Sequence, residues 1–231
     1  MTQYLQGFKT HIGLKFLVAI TGAMLVLFVI AHMLGNLQIY LGPNAINSYA
    51  ETLKSMPGLL WGARLGLLAA FIVHIWGITK LTLDNREARQ IVYTEKHSRK
   101  ATLASRTMAL SGLVLLAFVI YHLAHLTFGV IHPENFRLRD PLGRHDVYSM
   151  MVLGFREPLV TIPYLIAMGL LGMHLAHGAA SVFQSMGWAR PRFFPLISAA
   201  GYVLALIIVI GNMSIPLSCW LGIIAPTQGV L

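Results

Sequence analysis

The sequence predicts an all-α protein that crosses a membrane as a bundle of five helices. Of its 231 residues, 56% are hydrophobic and only 11% are charged, whereas soluble domains average about 45–50% apolar and about 25% charged residues. The mean hydropathy is +0.69. Five stretches free of Asp, Glu, Lys and Arg approach or exceed the roughly 20 residues that a helix needs to cross a hydrocarbon core. These observations exclude a water-soluble globule and a disordered chain.

The charge-free stretches set the positions of the helices. We expect the five spans near residues 14–40, 58–82, 105–131, 157–185 and 193–217. The second stretch is short, but Arg64 and Lys80 at its ends can extend their charged groups to the membrane surface. Gly58, Gly62 and Gly66 follow one another at four-residue spacing, which predicts a close helix-packing face at the start of this span.

Basic residues predict the orientation of the chain. With the N-terminus inside, the inner side holds 11 of the 17 Lys and Arg residues and the outer side holds 6. Because cytoplasmic loops are enriched in Lys and Arg, we expect an N-in, C-out domain over residues 1–231. The net charge of +9 then reflects these loops rather than nucleic-acid binding. The charged loop near residues 83–104 is a candidate docking surface for a cytoplasmic partner, and its composition also fits a solvated connector.

An internal repeat singles out two histidines. Shifted by 90 residues, segment 19–32 aligns with segment 109–122 without a gap, and seven of the fourteen positions are identical. Matched apolar residues mean little between hydrophobic helices. A matched glycine followed ten residues later by matched histidines, His32 and His122, is more informative. The first and third spans are therefore predicted to be equivalent parts.

Histidines in the second and fourth spans complete a set of four. At 1.5 Å per residue, His32 and His122 lie roughly 12–13 Å from the outer ends of their helices, and His74 and His174 lie roughly 12 and 16 Å from the inner ends. Each of these two levels thus has two histidines on different helices. A six-coordinate b-type haem needs two axial ligands, and two imidazoles that face each other across a gap can supply them. We therefore expect one haem between His32 and His122 and a second between His74 and His174.

Other residues near the four histidines have possible roles as well. Three positions further along each helix, on the same face, stand Gly35, Gly77, His125 and His177. Glycine at such a position would let a flat ring approach the backbone. His125 and His177 are candidates for contacts to a haem propionate or a quinone. They could also replace His122 and His174 as ligands, although the repeat favours His122.

Cysteine usage narrows the choice of redox group. Cys219 is the only cysteine. The chain therefore has no internal disulfide, no CxxCH haem-attachment motif and no cysteine-ligated iron–sulfur cluster. Any redox group must therefore be held by other side chains, and ten histidines are available.

A polar motif follows the first of the four histidines. Segment 32–38 reads His-Met-Leu-Gly-Asn-Leu-Gln, and Asn47-Ser-Tyr-Ala and Ser55-Met-Pro precede the second span. With these motifs the sequence resembles, over nearly its whole length, the five-helix di-haem cytochrome b subunit of succinate:quinone oxidoreductases and the related quinol:fumarate reductases. That family places one axial histidine on each of its first four helices. They match His32 and His122 at the distal haem and His74 and His174 at the proximal haem.

The resemblance implies a function and partners. It implies two b haems and a quinone, menaquinone in preference, in a bacterial cytoplasmic membrane. A flavoprotein with FAD and an iron–sulfur protein would bind on the cytoplasmic face, and electrons from succinate would reach the quinone through this subunit. Fumarate reduction by a quinol would use the same parts in reverse.

The resemblance specifies the quinone and propionate contacts only loosely. Family members often bind quinone near the distal haem with an acidic residue close to the start of the second helix. Glu51, with Lys54 nearby, fits that description, and a plain loop carboxylate fits it too. Asn36 and Gln38 are further quinone candidates, or they cap the helix end. Arg64 and Arg106 lie near the ends of predicted helices. They could hold haem propionates through charge-assisted hydrogen bonds, or they could anchor the helices at the membrane interface.

Three other functions stay open. The boxes His122-Leu-Ala-His125 and His174-Leu-Ala-His177 could belong to a His-ligated di-metal membrane hydroxylase. Such a site needs its ligands at one depth, whereas these boxes are expected at different depths. The membrane anchor of a nitrate reductase would carry haem ligands on fewer helices. A transporter would use the histidines as proton relays.

Overall fold

A computed structural model describes residues 10–88 and 107–227. Within these residues the chain is helical, apart from turns and one isolated bridge between Arg139 and His145. Five helices are long and apolar enough to span a membrane. In chain order the helices are α1 His11–Asn36, extended by a 3-10 turn Leu37–Leu41, α2 Pro43–Lys54, α3 Pro57–Glu87, α4 Met108–His122, extended by a π turn Leu123–Thr127, α5 Pro133–Phe136, α6 Val147–Arg156, α7 Pro158–Ser185 and α8 Phe194–Trp220.

The all-α class and the five predicted spans are confirmed by α1, α3, α4, α7 and α8. Local signals explain where these helices begin. The Thr10 hydroxyl accepts a hydrogen bond from the Gly13 amide at the start of α1, as a helix N-cap does. Proline opens α3 and α7 at Pro57 and Pro158, where its missing N–H costs nothing. The expected docking loop lies mostly outside the described residues, and its first part, 83–87, continues α3 as helix.

The spans pack in a chain of neighbours. α7 packs along α8, α1 packs against both α3 and α7, and α4 packs against α7. The backbones of α1 and α4 scarcely meet, and neither do those of α3 and α7. The two helices expected to share each haem, α1 with α4 and α3 with α7, are thus held in one bundle without packing tightly on each other.

The described part of the chain does not use the expected packing face at the start of α3. Among these residues, a Cβ atom added at Gly58, Gly62 or Gly66 would meet nothing within 4 Å. The contact with α1 is made by the later half of the helix, where a Cβ on Gly77 would come within 2.7 Å of the Val18 side chain. Glycine spacing marks a face that permits close approach, but the path of the neighbouring helix decides which part of that face is used.

One end of the bundle carries a cap that the sequence did not predict. We call the end covered by α2, α5 and α6 the capped end. Its hydrophobic core includes Ile46 of α2, Val152 of α6 and Ile215 of α8. Asn47 ties α2 to α6, since its amide nitrogen donates to Asp146 Oδ1 at 3.0 Å and its oxygen accepts from the Tyr148 amide at 3.0 Å.

Candidate functional site

His32 and His122 face each other near the capped end. Their ring centroids are 5.7 Å apart and their planes stand at 89°. The backbones of α1 and α4 scarcely touch, so the rings meet across a gap between two helices. If each bound a metal between them at about 2 Å, as imidazole nitrogens do, the ring centroids would be about 6 Å apart. The observed spacing fits that arrangement.

An aromatic ring one turn earlier supports each of these histidines. Phe28 stacks on His32 with centroids 5.3 Å apart, and Phe118 lies 5.9 Å from His122. Phe28 and Phe118 are also matched in the 90-residue repeat. The two rings thus have equivalent apolar supports on α1 and α4. We call this group of side chains the His32 level.

His74 projects from α3 onto the early part of α1. Its Nδ1 lies 3.2 Å from the Val18 carbonyl oxygen and 3.3 Å from Thr21 Oγ1. A Cβ atom on Gly22 would lie 3.1 Å from His74 Cε1. Glycine at this position therefore gives the imidazole its place against the helix.

His174 makes the corresponding contacts between α7 and α4. Its Nδ1 lies 3.2 Å from Ser111 Oγ, and a Cβ on Gly112 would lie 3.7 Å from its Cε1. In the 90-residue repeat Ser111 and Gly112 are matched to Thr21 and Gly22. The two histidines thus rest on equivalent hydroxyl–glycine pairs. We call this group the His74 level, although no ring contact joins His74 to His174 within the described residues.

The two levels are well separated along the helices. Thr21 precedes His32 by eleven residues on α1, and Ser111 precedes His122 by eleven residues on α4. At 1.5 Å per residue this corresponds to roughly 16 Å along either helix. The HxxH boxes that contain His122 and His174 lie at different levels, which does not favour a shared di-metal site.

His125 lies next to His122 but is enclosed on its other sides. It is 3% exposed, and its Nε2 would be only 2.9 Å from a Cβ on Gly154. The Tyr164 hydroxyl lies 3.0 Å from His125 Nδ1 and 3.2 Å from His122 Nδ1. Nδ1 of His125 therefore lies beside the Tyr164 hydroxyl and its Nε2 lies against Gly154, whereas His122 is the residue that faces His32.

The glycines expected to admit a flat ring have other neighbours. A Cβ on Gly35 would come within 2.8 Å of the Tyr49 ring, and a Cβ on Gly77 would clash with Val18. That expectation is wrong, because these glycines serve helix packing. His177 is partly buried on α7, and its backbone carbonyl accepts the Ser181 hydroxyl at 2.9 Å.

The candidate quinone residues lie toward the capped end. Glu51 and Lys54 are exposed on helix α2, so the alternative that Glu51 is a loop carboxylate is wrong. Desolvation lowers the pKa of Lys54; the Glu51 carboxylate raises it, while the Arg139 and Arg64 cations lower it further. Lys54 thus lies among both acidic and basic neighbours.

The remaining quinone and propionate candidates lie in different parts of the chain. Asn36 ends α1 one turn after His32, on the same face, and Gln38 lies in the following 3-10 turn. Arg64 is exposed on α3, with its guanidinium 5.2 Å from the Trp61 ring centroid, as an interfacial anchor would be. Arg106 lies outside the described residues.

Sequence reasoning missed the side chains that hold the rings. These are Thr21, Ser111 and Tyr164, and the signal for the first two was present. They are hydroxyl residues at matched positions, each directly before the matched glycine of the repeat. Tyr164 carried no such signal, since its place beside His122 depends on how α7 packs against α4.

No group of three or more His, Cys, Asp or Glu side chains in the described part of the chain is arranged to hold a metal ion. A bis-imidazole haem site takes only two protein ligands, so this finding leaves it open. Comparisons with protein-family models, curated proteins and solved structures give no match to this chain.

Proposed function

We propose that the chain is a di-haem cytochrome b subunit that anchors a succinate:quinone oxidoreductase in the bacterial cytoplasmic membrane and carries its electrons to quinone. The observation that carries the proposal is the pairing of His32 with His122 at 5.7 Å across a gap between helices. The contacts of His74 and His174 with equivalent hydroxyl–glycine pairs roughly 16 Å away along the helices support a second, similar site.

The protein's own groups have defined tasks in this proposal. His32 and His122 would hold one haem, and His74 and His174 the other. With two neutral imidazoles bound, each haem iron would have no open site for a further ligand and would serve electron transfer. When bound, the haems supply one-electron transfer between an iron–sulfur partner at the inner face and a quinone near the outer face. The five apolar spans would keep water away from both levels.

The orientation and partners are part of the same proposal. With the N-terminus inside, as the Lys and Arg count favours, the capped end lies outside and the His32 level is distal. The flavoprotein and the iron–sulfur protein would dock at the opposite, cytoplasmic end. Quinone, menaquinone in preference, would bind near the distal haem, close to Glu51, Lys54 and Asn36. Fumarate reduction by a quinol is the same proposal run in reverse.

A reduced-minus-oxidised visible spectrum of the purified subunit tests the proposal. We expect a b-type signal corresponding to two haems per chain. His74→Ala and His174→Ala should each remove one haem and leave the other. His125→Ala and His177→Ala are the matched controls, and both should retain two haems.

Two results would contradict the proposal in different ways. A colourless wild-type protein would overturn it as a whole. The ligand assignment would be overturned if His125→Ala loses a haem that His122→Ala retains, or if His177→Ala loses a haem that His174→Ala retains. Either result would still support a haem protein. Co-purification with a flavoprotein that oxidises succinate tests the identity of the complex separately.

A further inference from the structure

We propose that Thr21, Ser111 and Tyr164 are positioning residues that fix the tautomer and the ring orientation of three haem ligands, and so set the reduction potentials of the two haems. This inference rests on the proposed function. It concerns hydrogen bonds to the nitrogen of each imidazole that does not face the iron. Such contacts orient a ligand and raise its basicity in other metal sites.

At His74 the hydrogen bonds leave one tautomer. The Thr21 hydroxyl donates its only proton to the Leu17 carbonyl at 2.8 Å, so toward His74 it can only accept. The Val18 carbonyl, 3.2 Å from Nδ1, also can only accept. A neutral imidazole has one N–H and one lone pair. Nδ1 of His74 therefore carries the proton, and Nε2 has the free lone pair that a metal requires.

A related argument applies at His174, where the group beside Nδ1 is a hydroxyl rather than a carbonyl. The Ser111 hydroxyl donates to the Met108 carbonyl at 3.1 Å, which leaves its oxygen to accept from His174 Nδ1 at 3.2 Å. Nε2 of His174 is then the metal-binding nitrogen. Unlike His74, His174 has no backbone carbonyl beside Nδ1 within the described residues, so Ser111 alone fixes its tautomer.

At the His32 level the Tyr164 hydroxyl contacts Nδ1 of two histidines at once. Its hydroxyl lies within hydrogen-bond distance of Nδ1 of both His122 and His125, and it has one proton to give. When His122 binds a metal through Nε2, its Nδ1–H donates to Tyr164. Tyr164 then donates to Nδ1 of His125, whose N–H is on Nε2 beside Gly154. The phenol thus separates the ligand from its non-ligand neighbour.

Potentiometric titration of each haem in single variants tests the inference. In Ser111→Ala we expect the ratio of reduced to oxidised haem at the His74 level to rise about two- to tenfold at a fixed potential, because a less basic imidazole stabilises ferric iron less. Thr21→Val should have a smaller effect in the same direction, since the Val18 carbonyl remains. Tyr164→Phe should shift only the haem at the His32 level.

Conservative variants and a matched control separate positioning from packing. Ser111→Thr and Thr21→Ser keep the hydroxyl and should restore the wild-type potential. Ser214→Ala removes a similar hydroxyl, which donates to the Gly211 carbonyl on α8, and should change neither haem. The haem at each level is identified by its loss in the histidine variants. Electron paramagnetic resonance of the ferric haems reports ring orientation independently of activity.

The outcomes distinguish this inference from the proposed function. Two haems with unchanged potentials in Ser111→Ala and Tyr164→Phe would overturn the inference and leave the proposed function intact. Equal shifts in Ser214→Ala would also overturn it. If Ser111→Ala loses the haem at the His74 level and Ser111→Thr keeps it, positioning is supported; loss in both overturns it. A wild-type protein without haem would overturn the proposed function itself.

Discussion

At the scale of single residues, the buried carboxylates of the cap accept hydrogen bonds, and burial favours the neutral form of His145. Asp146 is 1% exposed, and its Oδ1 accepts from both Asn47 and the Ser149 amide. Burial would raise the pKa of Asp140, but hydrogen bonds from the Arg144 side chain and backbone outweigh it and hold that pKa below its usual value. Burial and the nearby Lys54 lower the pKa of His145, which favours its neutral form. These pairings keep buried charges compensated.

Replacing Asn47 by alanine should destabilise the cap. The change leaves the buried Asp146 carboxylate with one donor fewer and the Tyr148 amide without its acceptor. We expect a loss of about 2–4 kcal/mol in the free energy of unfolding, measured by unfolding of the subunit in detergent.

Asn44→Ala is the matched control for that change. Asn44 lies on the same helix, and its oxygen accepts from Arg144 at an exposed position. Exposed contacts of this kind contribute about 0–1 kcal/mol. Equal destabilisation by the two variants would show that the buried network does not hold the cap in place.

At the scale of elements, close approach of α3 to α1 depends on one glycine. Gly77 lies against Val18, and the Val18 carbonyl is one of the acceptors beside His74 Nδ1. Helix packing and the support of the His74 ring are therefore coupled at this contact. A side chain that pushes α3 away from α1 would also move the His74 ring.

Gly77→Ala should destabilise the protein by about 1–3 kcal/mol, because the added methyl group overpacks a tight contact. Thermal unfolding in detergent measures this effect, and the haem at the His74 level should be the less firmly bound one. Gly66→Ala, on the same helix with open space around it, should be neutral or stabilising by up to about 1 kcal/mol. If both variants behave alike, the helix contact is not the cause.

At the scale of the whole molecule, the two levels lie apart on helices that they share. α1 and α4 each contribute to both levels, with a histidine at one and a hydroxyl–glycine pair at the other. The levels are roughly 16 Å apart along these helices. Substitution of the rings at one level should therefore leave the other level in place.

Double variants test this separation. His32→Ala combined with His122→Ala should leave one haem per chain, whereas His32→Ala combined with His174→Ala should leave none. Haem content per protein, read from the visible spectrum, distinguishes the two cases. His11→Ala, an exposed position outside both levels, serves as the control and should retain two haems. Equal haem content in the two double variants would show that the levels are not independent.

The sequence by itself determined the five spans and the two histidine levels. Both depend on local properties, since hydropathy is read along the chain and helical rise converts residue number into depth. The predicted helices lie within a few residues of α1, α3, α4, α7 and α8. Even the equivalence of Thr21 and Ser111 was visible in the sequence, as two hydroxyl residues at aligned positions of the repeat.

Only the tertiary structure decided which side chains touch. The absence of neighbours at Gly58, the place of Tyr164 between His122 and His125, and the cap built by α2 and α6 all depend on how helices far apart in sequence are turned and crossed. Hydropathy carries no information about that rotation, because lipid-facing and helix-facing surfaces of a span are similarly apolar. Specific packing and hydrogen bonds select the arrangement.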